Sequence, residues 1–296
     1  MIKNIFLLLA IIAVGVGIWF YTLSGPMKLN MADKAWPAEL GMIKSVQTIN
    51  YGDDSRQKLD IYQIADAKVR VNGQDNFDKK PVLIFFHGGS WYHGEREGYA
   101  YIARAFAKYG IMTVIADYRK YPDVQFPDFV NDSAAAIKWT RQHIAKYGGD
   151  PDNITISGHS AGAHLSMLAI LDPKYMGDIT YIRGVIGIAG PYDFYPFTSD
   201  SAKNAMGHWP KPAETQPINY TRADAPPMLL LSGDNDKLVS PRNSKSLAAA
   251  LQEKGAKAEV KIYPQMDHYE IIMAIALPFR GKGAVLDDMA AFINRK

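Results

Sequence analysis

Apolar runs and segments of helical spacing alternate along most of this 296-residue chain. Six segments rich in apolar residues and bounded by turn residues predict strands, and one of them, 81–86, is continuously apolar, which is typical of a strand that a sheet buries on both faces. They cover residues 81–86, 111–116, 154–157, 182–189, 228–231 and 258–263. Apolar residues recur with helical spacing over 99–108, 127–147, 161–171, 240–254 and 284–294. Strands that alternate with helices predict an α/β fold with a mainly parallel sheet and helices on both faces.

The beginning of this predicted domain has a different pattern. Residues 45–50 and 58–64 alternate apolar and polar positions around a turn, which predicts an antiparallel hairpin at the start of the sheet. Residues 65–80 are polar, so we expect a surface loop there. Residues 191–226 lose the alternation and are rich in aromatic residues and proline, and we expect them to form a short cap insertion. One domain over 45–296 accounts for all of these elements.

The first 25 residues stand apart from this domain. Residues 5–23 are nineteen residues without a charge, and a helix of that length measures about 28 Å, close to the apolar core of a bilayer. They predict a single N-terminal membrane anchor, followed by a linker over 26–44, with the folded domain outside the cytoplasm. The alternatives are a cleaved signal peptide, which would yield a secreted protein, and a buried core helix.

Composition narrows the classes of function. The hydrophobic fraction of 48% and the charged fraction of 21% are ordinary for a globular protein. A net charge of +3 without clustering does not indicate nucleic-acid binding. The absence of cysteine excludes disulfides and thiolate metal sites. We expect no cofactor and no metal ion, and the sequence does not set an oligomeric state.

The most distinctive local pattern is Gly158-His159-Ser160-Ala161-Gly162, which directly follows a β-branched run and precedes an apolar helical segment. This G-x-S-x-G pattern predicts a strand, a very tight turn and a helix, with the Ser160 hydroxyl exposed at the apex. A chance match is possible for so short a pattern, so the rest of the chain decides whether Ser160 is a nucleophile.

A serine nucleophile needs a base, and the base needs an acid that orients it. His268 follows the last predicted strand and is the best candidate for the base. The other six histidines have positions that suit other roles: His87 in a glycine-rich turn, His159 beside Ser160, His164 packed one helical turn later, His143 solvated on a helix, and His93 and His208 in loops. For the acid, Asp234 and Asp236 both follow strand 228–231, whereas Asp267 is better placed to serve its own loop.

A second glycine-rich turn follows strand 81–86. It reads His87-Gly88-Gly89-Ser90-Trp91, and its consecutive glycines allow backbone N–H groups to turn into a cavity. Together with the N–H group of Ala161, two such donors could hold the oxyanion of a tetrahedral intermediate. A plain glycine turn is the alternative. Ligands of such sheets bind beyond the carboxyl ends of the strands, where both turns are expected.

These motifs resemble those of α/β-hydrolases of the HGG-type carboxylesterase group, related to hormone-sensitive-lipase-like esterases, bacterial feruloyl and acetyl esterases, and kynurenine formamidases. The resemblance runs from about residue 45 to the C-terminus and includes the segments 117–122 and 147–162. It implies that the nucleophile Ser160, the acid Asp236 and the base His268 follow one another in this order along the chain, and it selects Asp236 over Asp234. It also implies oxyanion donors at Gly89, Ser90 and Ala161. Ser90 departs from the glycine often found there, and its side chain would narrow the acyl site.

The resemblance implies a serine hydrolase that cleaves carboxylic esters of small or medium size through an acyl-enzyme. Residues expected to contact this small-molecule substrate are Gly88, Trp91, His159 and Tyr192. The aromatic residues of 191–226 either line the site, which would favour apolar or aromatic substrates, or only pack the insertion. An amidase of the kynurenine formamidase type, a peptidase and a non-catalytic membrane-tethered binding module are the alternatives.

Overall fold

The computed structural model describes residues 20–36, 41–65, 70–71, 74–75 and 79–295. The strands are β1 (Ile43–Asn50), β2 (Lys58–Ile64), β3 (Arg70–Val71), β4 (Gln74–Asp75), β5 (Lys80–Phe86), β6 (Met112–Ala116), β7 (Gly149–His159), β8 (Ile182–Ile188), β9 (Met228–Gly233) and β10 (Ala258–Tyr263). The α-helices are α1 (Gly25–Lys34), α2 (Ala100–Ala107), α3 (Asp128–His143), α4 (Ala161–Leu171), α5 (Pro173–Met176), α6 (Asp200–Met206), α7 (Arg242–Glu253), α8 (Glu270–Met273) and α9 (Val285–Ile293). Short 3-10 helices cover Arg96–Tyr99, Ile144–Tyr147, Pro212–Thr215, Pro217–Tyr220 and Leu277–Lys282.

Eight of these strands form one sheet in the order β1-β2-β6-β5-β7-β8-β9-β10, and β3 and β4 form a separate pair. Strand β2 is antiparallel to β1 and to β6, and the other neighbours are parallel. The predicted α/β fold, mainly parallel with an antiparallel start, is therefore confirmed.

Two helical layers cover the sheet because successive strand residues point to opposite faces. In β5, Val82, Ile84 and Phe86 join the apolar cluster under α3, α4 and α7. Leu83 and Phe85 join the cluster on the other face, under α2 and α9. All five side chains are fully buried, which explains why this strand is a continuous apolar run.

Several boundaries differ from those predicted. Strand β7 begins at Gly149, five residues before the apolar run, because Gly149 continues the pairing with Lys80 of β5. The predicted helix over 127–147 is α3 followed by a 3-10 turn, and Gly148 then ends it in a left-handed conformation. The predicted loop over 65–80 contains β3 and β4. Within 191–226, the chain forms α6 and two 3-10 turns between β8 and β9.

The segment expected to be a linker contains helix α1, which packs on the domain. Asp33 is 1% exposed, and its carboxylate accepts hydrogen bonds from Arg104 Nε at 2.7 Å and from the Leu277 N–H group at 2.8 Å. Asn30 donates to the Glu97 carbonyl at 2.8 Å. Most of the predicted membrane segment lies outside the described residues. In the part of the chain that is described, no helix combines the length and the apolar character that a membrane crossing needs.

The register of the parallel strands brings several turns to one edge of the sheet. Phe86 of β5 lies opposite Gly158 of β7, and Tyr263 of β10 lies opposite Gly233 of β9. The chain segments that leave these strands therefore meet at the carboxyl edge, where ligands of parallel sheets bind.

Candidate active site

Ser160 lies at the tight turn between β7 and α4. Its φ of 54° and ψ of −121° are rare for a residue with a side chain, and such strain is typical of functional sites. The turn depends on close backbone contact: a Cβ atom at Gly162 would lie 2.2 Å from the Phe86 carbonyl oxygen, and one at Gly158 would lie 2.4 Å from Gly162. The two glycines of the motif are thus required sterically.

His268 lies between Ser160 and Asp236. Its Nε2 atom is 2.9 Å from Ser160 Oγ, and its Nδ1 atom is 2.8 Å from Asp236 Oδ2. The other carboxylate oxygen of Asp236 accepts hydrogen bonds from the N–H groups of Leu238 and Val239, at 2.9 and 2.8 Å. Asp236 and His268 are each 5% exposed, so this hydrogen-bonded chain is largely shielded from water.

The other two candidate acids have local roles. Asp234 is exposed and its Oδ1 atom accepts from the Gln265 N–H group at 2.7 Å. Asp267 accepts from the N–H groups of Tyr269 and Glu270, each at 2.8 Å. Neither carboxylate is recorded as a partner of the His268 ring.

The glycine-rich turn after β5 is held by a buried ionic network. His87 Nε2 is 3.1 Å from Asp117 Oδ1, and Arg96 Nη1 donates to Asp117 Oδ2 at 2.6 Å and Arg96 Nε to Asp60 at 2.9 Å. Burial alone would raise the pKa of Asp117, but the hydrogen bonds from His87 and Arg96 and the nearby charge of Lys120 lower it to about 2. Sequence reasoning named His87 and the segment 117–122 but missed Arg96, which no local motif marks.

The three predicted oxyanion donors lie on the two turns. Gly89 has a φ of 135° and Ser90 one of 55°, and neither N–H group is recorded as donating to any other described residue. Ala161 is the first residue of α4, so its N–H group has no acceptor within the helix. All three donors are therefore available to a ligand at this edge.

The four residues expected to contact substrate all make contacts within the protein. His159 is buried, and its Nε2 atom is 3.0 Å from the His268 carbonyl oxygen. Burial, with the nearby His268 ring, lowers the pKa of His159 to about 3. Gly88 lies against it, since a Cβ atom there would be 2.8 Å from His159 Nδ1. His159 thus supports the His268 loop.

Tyr192 and Trp91 are also packing residues. The Tyr192 ring is fully buried where Gly187 and Gly190 leave room, and an added Cβ atom at these glycines would be 1.9 and 2.4 Å from its hydroxyl oxygen. The Tyr192 side chain is therefore packed within the domain, and its contact with substrate stays a prediction. Trp91 is 4% exposed, and its indole N–H group donates to His164 Nδ1 at 3.2 Å.

The aromatic residues of the insertion differ in their surroundings. Phe194 stacks on Trp91 with ring centroids 5.9 Å apart. Trp209 packs on Phe126 at 5.0 Å and donates to Glu214, so it stabilises the insertion itself. Tyr195 is 54% exposed.

Among the described residues, no group of three or more His, Asp or Glu side chains is placed to hold a metal ion.

A family model named BD-FAE matches residues 59–251, which include Ser160, Asp236 and the glycine-rich turn. The chain belongs to the BD-FAE family. This agrees with the resemblance to HGG-type esterases that the motifs indicated. The match ends before His268, whose position rests on the geometry described above.

Individual relatives are esterases by name. Esterase LipC of Mycobacterium tuberculosis is 32% identical over 225 residues, which cover 68% of this chain and 54% of LipC. The probable isoprenylcysteine alpha-carbonyl methylesterase ICME of Oryza sativa subsp. japonica is 26% identical over 274 residues, covering 84% of this chain and 64% of ICME. This chain therefore spans less than two thirds of the length of either relative.

Solved structures show the same fold. The thermophilic esterase Est2 of Thermogutta terrifontis, bound to propionate, matches with a TM-score of 0.68 at 23% identity, over 88% of this chain and 98% of Est2. A truncated carbohydrate esterase from gut microbiota matches with a TM-score of 0.69 at 23% identity, over 86% of this chain and 96% of that enzyme. At this level of identity the likeness establishes the α/β-hydrolase fold alone.

Proposed function

We propose that this BD-FAE protein is a serine hydrolase that cleaves carboxylic esters, with Ser160 as nucleophile, His268 as base and Asp236 as the orienting acid. The observation that carries the proposal is the pair of hydrogen bonds of the His268 ring, to Ser160 Oγ at 2.9 Å and to Asp236 Oδ2 at 2.8 Å. The names of the relatives support ester hydrolysis as the reaction.

The reaction begins when His268 Nε2 takes the proton of Ser160 as Oγ attacks the ester carbonyl carbon. Asp236 accepts a hydrogen bond from the Nδ1–H group of His268. This keeps Nε2 unprotonated in the resting enzyme and stabilises the imidazolium once it forms. His268 then gives its proton to the departing alkoxide, so the alcohol leaves and the acyl group stays on Ser160. Water, deprotonated by the same ring, hydrolyses the acyl-enzyme and restores the serine.

The tetrahedral intermediates of both steps carry a negative oxygen. We assign its stabilisation to the N–H groups of Gly89, Ser90 and Ala161, which have no other recorded acceptor and lie on the two turns at the carboxyl edge. Donors fixed in place before the reaction stabilise this charge without reorganising, and the loss of one costs on the order of 10²–10³ in rate.

The substrate is proposed to be an ester with an apolar or aromatic group. Leu238, two residues after Asp236, is 65% exposed, and Tyr269, next to His268, is 58% exposed. These two side chains put apolar surface beside the acid and the base, where exposed apolar surface commonly marks a binding site.

Hydrolysis of a p-nitrophenyl ester series, from acetate upwards, and of N-formylkynurenine tests the activity and separates an esterase from a formamidase. Labelling by a fluorophosphonate probe tests the nucleophile. We expect ester turnover and labelling of the parent protein, and loss of both in Ser160→Ala. Ser166→Ala is the matched control, because Ser166 lies on α4 but its hydroxyl donates to the Ala163 carbonyl of the same helix. Unlabelled, folded parent protein without turnover would refute the proposal.

We further propose that residues 5–23 anchor the protein in a membrane, with the hydrolase domain outside the cytoplasm. The uncharged stretch supports the anchor, and α1, which begins two residues later and packs beside Glu97 and Gly98, would hold the domain close to the bilayer. Membrane fractionation, with protease accessibility in intact cells, tests both parts. Recovery of a mature soluble form that lacks these residues would favour a cleaved signal.

A further inference from the structure

Three segments that are distant in the sequence meet at the His164 ring. Trp91, from the glycine-rich turn, donates its indole N–H group to His164 Nδ1 at 3.2 Å. His164 Nε2 is 2.8 Å from the carbonyl oxygen of Thr215 in the insertion. His164 itself lies on α4, where its N–H group donates to the Ser160 carbonyl at 3.0 Å. The ring thus links the insertion, the serine turn and the glycine-rich turn.

The hydrogen bonds define the protonation of this ring. Trp91 Nε1 can only donate, so His164 Nδ1 accepts, and a carbonyl can only accept, so Nε2 carries the proton. His164 is fully buried, and burial lowers its pKa to about 4. The neutral ring therefore has both nitrogen atoms paired, one to each segment.

The glycine-rich turn has a reason to need this support. Ser90 and Trp91 both have positive φ, at 55° and 63°, although neither is glycine. A residue with a side chain is strained in this region and persists there only where surrounding contacts hold it. The Trp91 side chain is held by His164 and by stacking on Phe194 of the insertion. The adjacent N–H group of Ser90 depends on the same backbone.

We propose that His164 is a positioning residue: through its hydrogen bond to Trp91 it holds the strained turn so that the N–H groups of Gly89 and Ser90 face the reacting carbonyl. This inference rests on the proposed esterase function. His164 touches neither the substrate nor Ser160 Oγ, and its effect on the rate passes through the Trp91 side chain.

Two substitutions separate the two hydrogen bonds of the ring. His164→Asn keeps an acceptor at the position of Nδ1 and loses the donor to Thr215. His164→Gln keeps a donor near the position of Nε2 and loses the acceptor for Trp91. Trp91→Phe removes the same bond from the other side while it keeps an aromatic ring against Phe194.

We expect His164→Gln and Trp91→Phe each to lower kcat about tenfold with KM within twofold, which is the effect of one lost buried hydrogen bond felt mainly in the transition state. His164→Asn should retain kcat within about threefold. The double variant His164→Gln/Trp91→Phe should be no slower than either single variant, because both remove one interaction. Rates are normalised to the concentration of Ser160 that a fluorophosphonate labels, so misfolded protein does not count.

A second readout does not depend on turnover. In amide NMR spectra, the N–H signals of Gly89 and Ser90 and the Trp91 indole signal should move in His164→Gln and stay near their parent positions in His164→Asn. If Asn and Gln lower Tm alike and leave these signals and kcat unchanged, His164 is only a packing residue and the inference is overturned. If the signals move as expected in His164→Gln but the parent protein hydrolyses no ester, the proposed function fails and the structural coupling stands.

Discussion

Replacing Asp236 by asparagine should inactivate the enzyme without disturbing its fold, because the structure dictates how the new amide is oriented. Oδ1 of Asp236 accepts from the N–H groups of Leu238 and Val239. An asparagine must place its carbonyl oxygen there, since its NH₂ group would face two donors. The NH₂ group then points at His268 Nδ1 and donates to it.

This forces His268 into the wrong tautomer. With Nδ1 as acceptor, the ring proton moves to Nε2, which then donates to Ser160 Oγ and cannot take its proton. The same change in a serine protease lowers kcat about 10⁴-fold, and we expect a loss of that order for Asp236→Asn with p-nitrophenyl acetate. Tm should stay within a few degrees, because the buried backbone donors keep their acceptor.

Asp234→Asn is the control. Asp234 is two residues away and exposed, and its carboxylate accepts from the Gln265 N–H group, so the activity of this variant should stay within about threefold of the parent. Steady-state kinetics at pH 8, normalised to the concentration of folded protein, decide the comparison. An Asp236→Asn enzyme within tenfold of the parent, or a greater loss in Asp234→Asn, would refute the assignment of the acid.

Three further predictions concern stability and pH. Gly162→Ala should destabilise the fold by several kcal/mol or prevent folding, since its Cβ atom would lie 2.2 Å from the rigid Phe86 carbonyl oxygen; urea unfolding measures this. The free energy of unfolding should decrease as pH falls from about 6.5 towards 4, because His159 and His164, with folded pKa values of about 3 and about 4, bind protons only in the unfolded chain over that range. Each contributes up to about 1.4 kcal/mol per pH unit, and unfolding curves at pH 7 and pH 5 that coincide would contradict it. Asp33→Ala should lower Tm by several degrees while kcat stays unchanged, because it leaves the partly buried Arg104 guanidinium and a backbone N–H group without their carboxylate partner.

Sequence patterns were sufficient where the information is local. The order of strands and helices follows from continuous apolar runs such as 81–86, whose residues are buried on both faces. The turn at Ser160 also has a local signature, because two glycines are required where backbones meet. His268 and Asp236 could be placed at the same edge because the carboxyl ends of parallel strands share it.

Contacts between distant segments were not predictable. Helix α1 has a polar sequence with Pro26 and resembles a linker until Asp33 meets Arg104, 71 positions away. Tyr192 looked like a residue of a binding site, and only the space beside Gly187 shows that it is packed. His164 was expected to pack, but its two hydrogen bonds join segments that no local pattern connects.

The most direct test of the account is the acyl-enzyme itself. Mass spectrometry of the protein, quenched in acid during turnover of a p-nitrophenyl ester, should find the acyl group on the peptide that contains Ser160. The adduct should be absent from Ser160→Ala, and its formation should be strongly slowed in Asp236→Asn. An acyl group on another residue, or full ester turnover by Ser160→Ala, would contradict the mechanism.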